Sequence, residues 1–130
     1  MSHPSTPVVR NIAAVEALAV ERTRGAAIQI LIGPAEGAPN FITRRFTLAP
    51  GGRIPSHRHA TIEHEQFILA GTMVIGLDNR EVAATEGDFV FIPAGVAHWY
   101  ENRTDEPVAF LCIVPQTSEY QTEWLEGPAD

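Results

Sequence analysis

Between residues 41 and 48 the chain alternates: Ile42, Arg44, Phe46 and Leu48 fall on one side and Thr43, Arg45 and Thr47 on the other. A period of two marks a half-buried strand, and it sets Arg44 on the apolar side. Apolar, β-branched and aromatic runs predict further strands at 26–32, 53–59, 64–70, 73–77, 89–92, 98–102 and 108–114. Turn residues separate them, among them Gly33-Pro34, Pro50-Gly51-Gly52, Ala70-Gly71-Thr72, Asp78-Asn79-Arg80, Glu86-Gly87-Asp88, Pro93-Ala94-Gly95 and the stretch from Thr104 to Pro107. Many short strands so joined predict an all-β sandwich or barrel. Helical spacing shows only at Ile12, Val15 and Leu18, in a short, poorly capped stretch that predicts one helical turn. The aromatics Phe89, Phe91 and Trp99 read as packing.

The length of 130 residues suits a single domain with a real core. Its expected layout is an N-terminal arm over about 1–22, a barrel over 23–115 and a C-terminal tail over 116–130. His3 belongs to the arm; the acidic tail, with Tyr120 and Trp124, is expected to pack back on the body or to reach a partner subunit. A net charge of −7 without any basic cluster argues against nucleic acid as a partner. No apolar run approaches the roughly 20 residues that a membrane-spanning helix needs. The single cysteine, Cys112, cannot form an intrachain disulfide, and the first residues lack the pattern of a signal peptide, so a cytoplasmic location is expected.

The chemistry of the chain concentrates in His57, His59, His64 and His98, each on or beside a predicted strand. In His57-Arg58-His59 the two imidazoles share one face of an extended strand while Arg58 points away. His64 follows at the start of the next strand, and His98 arrives by tertiary folding. Imidazole nitrogens suit first-row transition metals, whereas Mg and Ca prefer oxygen donors. A lone histidine more often fills a half-polar surface; the glycine and proline context around these four points the other way.

Gly51, five residues, His57-x-His59, four residues, position 64, six residues and Gly71 reproduce the first motif of the cupin superfamily, with His64 in place of the usual acid. Gly87, five residues, Pro93-x-Gly95, two residues, His98, three residues and Asn102 reproduce the second without departure. Together the motifs cover 51–102. The chain resembles small single-domain bacterial cupins of the manganese type, in which a Glu-His-Glu triplet places a fourth histidine. That resemblance implies a double-stranded β-helix, or jelly-roll barrel, usually a homodimer. It also implies one divalent metal held by His57, His59, His64 and His98, with Mn or Fe ahead of Ni, Cu and Zn. The six-residue interval to Gly71 selects His64; Glu63 or Glu65 is the alternative donor.

Four neutral imidazoles leave the ion's charge uncompensated, so a small anionic or chelating ligand is expected. Arg44, on the inward face, is the candidate to pair with a carboxylate or enolate oxygen and is the catalytic candidate; a structural acid is its other possible partner. The resemblance sets Phe110 and Cys112 in the pocket, and register with His64 and His98 adds Gln66 and Tyr100 to its wall; core packing is the other reading of each. The expected activity is that of a metal-dependent oxygenase, a dioxygenase-type oxidoreductase, on a small organic acid, enol or phenolic compound. Isomerase, decarboxylase or lyase chemistry and a non-catalytic binding module share the same sphere.

Overall fold

A computed structural model describes residues 6–129, so His3 lies outside the described residues. Its strands are β1 (Leu18–Ala19), β2 (Arg24–Ile32), β3 (Phe41–Arg58), β4 (His64–Ala70), β5 (Thr72–Leu77), β6 (Arg80–Thr85), β7 (Phe89–Ile92), β8 (His98–Glu101), β9 (Val108–Pro115) and β10 (Glu123–Trp124). All pair antiparallel in one curled sheet of order β6-β5-β8-β3-β9-β4-β7, with β2 and β10 also on β3 and β1 on β2. The only helical pieces among the described residues are two short 3-10 turns, Ile12–Ala14 and Pro34–Glu36. The helical turn expected near Ile12 is thus reduced to the first of them, started by Asn11, whose side chain accepts from Ala13 N–H at 2.8 Å.

The runs 41–48 and 53–59, expected as two strands around a Pro50-Gly51-Gly52 turn, form instead one strand of 18 residues. Its first half pairs with β2 and β9, and its second with β8 and β10. Between them the chain bulges: Arg24 pairs with Arg53, but Ala26 pairs with Leu48. Gly51 makes the bend at a φ of 78°, where a side chain is strained, and a Cβ on Gly52 would sit 2.8 Å from the Ala49 carbonyl. The strand β6 was not expected; its partner β5 calls it into the sheet through a two-residue turn at Asp78-Asn79, pairing Leu77 with Arg80.

The two ends also join the sheet. Residues of the expected arm form β1, and Gln29 Nε2 donates to the Ile12 and Val15 carbonyls. Residues of the expected tail form β10 on β3. Phe89 and Phe91 do not pack inward: β7 ends the sheet, Val90 and Ile92 take its inner side, and the two rings are 81% and 56% exposed. Trp99 lies on the outer face against Gly76, beneath the Arg53 guanidinium at 4.7 Å.

Leu48, Ile68, Met73, Ile75, Ile92, Val108, Phe110 and Val114 make a fully buried interior. Asn102, the last residue of the second motif, is buried with them. Its Nδ2 donates to the Leu48 and Glu106 carbonyls at 3.1 and 2.7 Å, while its Oδ1 accepts from Thr104 N–H and hydroxyl at 3.0 and 2.7 Å. Its backbone exchanges two 2.9 Å bonds with Gly51 and Gly52, so the main chain at this position ties the second motif to the first while the side chain anchors it to Leu48 and the Thr104 turn.

Candidate metal centre

The strand period places His57 and His59 on the inner face of β3, and the β3–β8 ladder sets His98 directly opposite His57. Gly95, at a φ of 83°, donates its N–H to the His59 carbonyl at 2.8 Å, which fastens the turn before β8 against the first two histidines. The outcome is three buried imidazoles whose ligand atoms all lie within 4.8 Å of one another: His57, His59 and His98. His64, at the start of β4, is buried beside them with its ring centroid 5.0 Å from both His59 and His98, but does not belong to that tight trio. Glu63 and Glu65 are exposed and edge a shallow outer recess beside Phe41.

Backbone carbonyls orient the trio. His57 Nδ1 lies 2.8 Å from the Pro55 carbonyl, His98 Nδ1 2.9 Å from that of Val96 and His59 Nδ1 3.0 Å from that of Gln121. With Nδ1–H donated outward, the lone pair of each ring is on Nε2, the nitrogen turned to the centre. His98 Nε2 and His64 Nδ1 are buried without any hydrogen-bond partner. Unpaired imidazole nitrogens in a three-histidine cluster are what a divalent transition metal satisfies, so the donor set fits such an ion.

The imidazoles are also held neutral. Burial, chiefly, takes His57 down to about 4, with His59 and Arg44 adding to it against the opposing bond to Pro55. Burial and the neighbouring His98 and His59 take His64 down to about 2, burial and His57 take His98 to about 3, and burial lowers His59. Because the folded pKa values lie below the ordinary 6.5, the unfolded chain binds more protons in acid. Stability of the metal-free protein is therefore complete above about pH 6.5 and is expected to fall as the pH drops below that value, down to about 4 for His57 and about 3 for His98. Calorimetric unfolding from pH 7 to 4 should show this fall, and a His57→Gln/His98→Gln variant should show a shallower one; equal slopes would contradict it.

Beside the histidines lies a cavity of about 40 Å³. One rung of the sheet sets Gln66, Cys112 and Arg44 side by side on β4, β9 and β3, and the next sets Ile68, Phe110 and Phe46. Arg44 Nη2 lies 3.1 Å from Cys112 Sγ, and Gln66 Nε2 donates to Tyr100 Oη at 2.6 Å. Phe110 stacks between Phe46 and Tyr100, with centroids at 5.3 Å on either side. Arg44, Gln66, Tyr100, Phe110 and Cys112, all anticipated from strand parity or resemblance, border this cavity. Arg44 faces no acid: its guanidinium bonds Cys112 and Tyr120 and lies over the Phe46 ring, and its Nε, like Gln66 Oε1, is buried and unpaired.

Sequence reasoning missed Phe46, Ile54 and Tyr120, which also border the cavity. Phe46 shares the parity of Arg44 and Ile54 that of Ser56, so the alternation held a signal for the first; Tyr120 sits in a segment without period. A wider groove on the outer surface, beside Val8, Val9 and Ile32, contains none of the histidines. Among the described residues no helix is long and apolar enough to cross a membrane.

The Cupin domain family matches residues 44–114, more than half of the chain, and the chain belongs to that family. It is 35% identical over 77 residues to an uncharacterised protein of Methanocaldococcus jannaschii, a match covering 58% of this chain and 62% of that one. It is 24% identical over 123 residues to the tetracenomycin polyketide synthase protein TcmJ of Streptomyces glaucescens, covering 89% and 83%. Among solved structures, the polyketide cyclase RemF from Streptomyces resistomycificus superposes with a TM-score of 0.83 at 24% identity, over 95% of this chain and 89% of its own. The chain spans from 18% to 83% of the length of the curated relatives it matches. These likenesses agree with the double-stranded β-helix that the strand order describes.

Proposed function

We propose that the chain is a metal-dependent enzyme acting on a small, flat, chelating anion, an organic acid, enol or phenolic compound, with dioxygen as co-substrate. The observation that carries this reading is a trio of buried, neutral imidazoles, His57, His59 and His98, beside a small cavity that His57, His59 and His64 border together with a guanidinium that faces no acid. His57, His59 and His98 would hold the ion, and His64, buried with an unpaired nitrogen, would supply the fourth donor; Mn or Fe is the metal of choice. Bound there, such an ion supplies Lewis-acid polarisation of a ligand oxygen and redox chemistry with dioxygen.

The chain's own residues then bind and orient. Arg44 has an unpaired Nε and takes an anionic oxygen by charge-assisted hydrogen bonds. The stacked rings of Phe46, Phe110 and Tyr100 form a wall that suits a planar guest, and the barrel excludes bulk water from it. Gln66 Oε1, unpaired and buried, accepts a hydroxyl from the ligand. The match to TcmJ, a polyketide synthase protein by name, runs along most of the chain and supports an enol- or phenol-bearing substrate.

The test is metal content by mass spectrometry on untagged protein, followed by oxygen uptake with Fe(II), Mn(II) and Ni(II) loadings against a panel of small chelating acids, enols and phenols. Uptake with at least one pair supports the oxygenase. Tight ligand binding with no turnover under any loading would make the chain a binding module, and anaerobic conversion would assign a lyase, decarboxylase or isomerase. Arg44→Leu is expected to keep the metal and to weaken binding of a carboxylate such as salicylate about 10- to 100-fold, the worth of hydrogen bonds to a charged group, by calorimetry. Unchanged affinity would remove Arg44 from the site.

A further inference from the structure

The segment after β9 crosses the mouth of the cavity. Tyr120 borders the cavity while remaining 37% exposed; its ring centroid stands 4.9 Å from that of His59, and its hydroxyl accepts from Arg44 Nη1 at 3.3 Å. Next to it the Gln121 carbonyl takes His59 Nδ1, and the ring of Trp124 lies 4.9 Å from that of His57. Beyond, the chain is clasped: Arg58 binds the Glu123 carboxylate at 2.7 and 3.0 Å, and Glu126 accepts from Ser56 N–H at 2.8 Å and Arg53 at 2.9 Å. Before Tyr120 the ties are Gln116 N–H to the Asn40 carbonyl and Glu119 N–H to the Thr117 hydroxyl. Residues 117–122 are thus fastened at both ends and carry no strand pairing, with Tyr120 near the middle.

The cavity below measures about 40 Å³, whereas a protein cavity that takes up benzene measures about 150 Å³. A ring-sized ligand therefore enters only if a wall moves, and Tyr120 is the wall residue in the segment without strand pairing. Moreover, its phenol is a neutral acceptor that takes one N–H of the guanidinium, whereas a carboxylate adds the attraction of opposite charge and can accept two parallel N–H bonds.

We propose that Tyr120 is a specificity-determining residue: its hydroxyl occupies Arg44 until an anionic ligand displaces it, and its ring sets the size of ligand that enters. The proposal rests on the metal-dependent reading above only for the site's use, because the exchange at Arg44 is readable with or without an ion. The tyrosine side chain swings outward and residues 117–120 shift with it, while the Gln121 carbonyl stays on His59 Nδ1 and the clasp at Glu123 and Glu126 keeps the segment attached.

The experiment titrates acetate and benzoate by calorimetry into wild type, Tyr120→Phe and Tyr120→Ala, each saturated with Mn(II) and, in parallel, metal-free. Tyr120→Phe keeps the ring and removes the competing acceptor, so both anions should bind about three- to tenfold tighter, the worth of one ordinary hydrogen bond. Tyr120→Ala should favour benzoate over acetate by a further factor, because the ring no longer limits size. Hydrogen exchange read by mass spectrometry should accelerate in 117–120 of wild type on adding benzoate, with β4 and β9 unchanged. Equal affinities in all three proteins, weaker binding in the variants, or slower or unaltered exchange in that segment would each overturn the proposal. Failure of the wild type to take up Mn(II) would instead sink the metal reading, while the metal-free titrations still decide the role of Tyr120.

Discussion

His98→Ala is expected to emerge from purification nearly free of metal, against an expected one ion or so per chain in the wild type, and to bind Mn(II) more than about 100-fold more weakly than the wild type. Loss of an outer hydrogen-bond partner alone costs 10- to 100-fold at a metal site, and here a donor itself is removed. Without His98 only the two imidazoles of His57-x-His59 remain of the tight trio, and no carboxylate stands within it to substitute. The barrel should survive. His98 Nε2 is buried without a partner in the metal-free chain, so its removal deletes an unsatisfied group, and the core around Phe110 and Ile75 does not depend on it. Mass spectrometry of metal content, with circular dichroism as the check on folding, reads both outcomes. Stoichiometric metal in a folded His98→Ala would falsify the site assignment.

Asn102→Ala should have the opposite signature: little direct effect on the donors and a large loss of stability. The side chain is buried and makes four hydrogen bonds, to Leu48, Glu106 and twice to Thr104. Alanine leaves the Leu48 carbonyl, in the centre of the sheet, without this donor and frees the Thr104 turn. At about 1–3 kcal/mol for each buried group left unsatisfied, a loss of about 3 kcal/mol is expected. For a domain of this size that lowers the unfolding temperature by roughly 10 °C. Asn102→Asp keeps the acceptor contacts to Thr104 but sets a buried carboxylate oxygen against the Leu48 and Glu106 carbonyls, so it should destabilise at least as much as alanine. A shift below about 2 °C for Asn102→Ala would mean that the side-chain bonds to Leu48, Glu106 and Thr104 carry no weight.

Both substitutions fall in the second motif and probe it through the feature that made it readable. A glycine at fixed distance from a histidine reflects a bend at a fixed distance from a ligand, and such spacing survives in the linear chain. Strand parity was equally readable: alternation placed Arg44 inward, and with resemblance it placed Gln66, Tyr100, Phe110 and Cys112, all of which border the cavity. Other features left weaker traces. The sequence Arg80–Thr85 has neither strong β-branching nor a clean apolar period, and becomes a strand because β5 offers a partner backbone. Pro50-Gly51-Gly52 looks like a reversal and is a bulge, since the residues on either side find different neighbours rather than each other.

Local pattern thus accounts for the class of fold, the inward faces of the strands and the histidines that approach one another, because period and turn chemistry act over a few residues. Long-range packing decided the rest: that His57, His59 and His98 form the tight trio with His64 beside it, that Arg44 meets Cys112 and a tyrosine rather than an acid, and that the acidic end folds across the mouth. Those outcomes depend on which backbone edges and carbonyls lie next to a side chain after closure of the barrel. Residues separated by 62 positions, as His59 and Gln121 are, carry no mutual mark in the order of the chain.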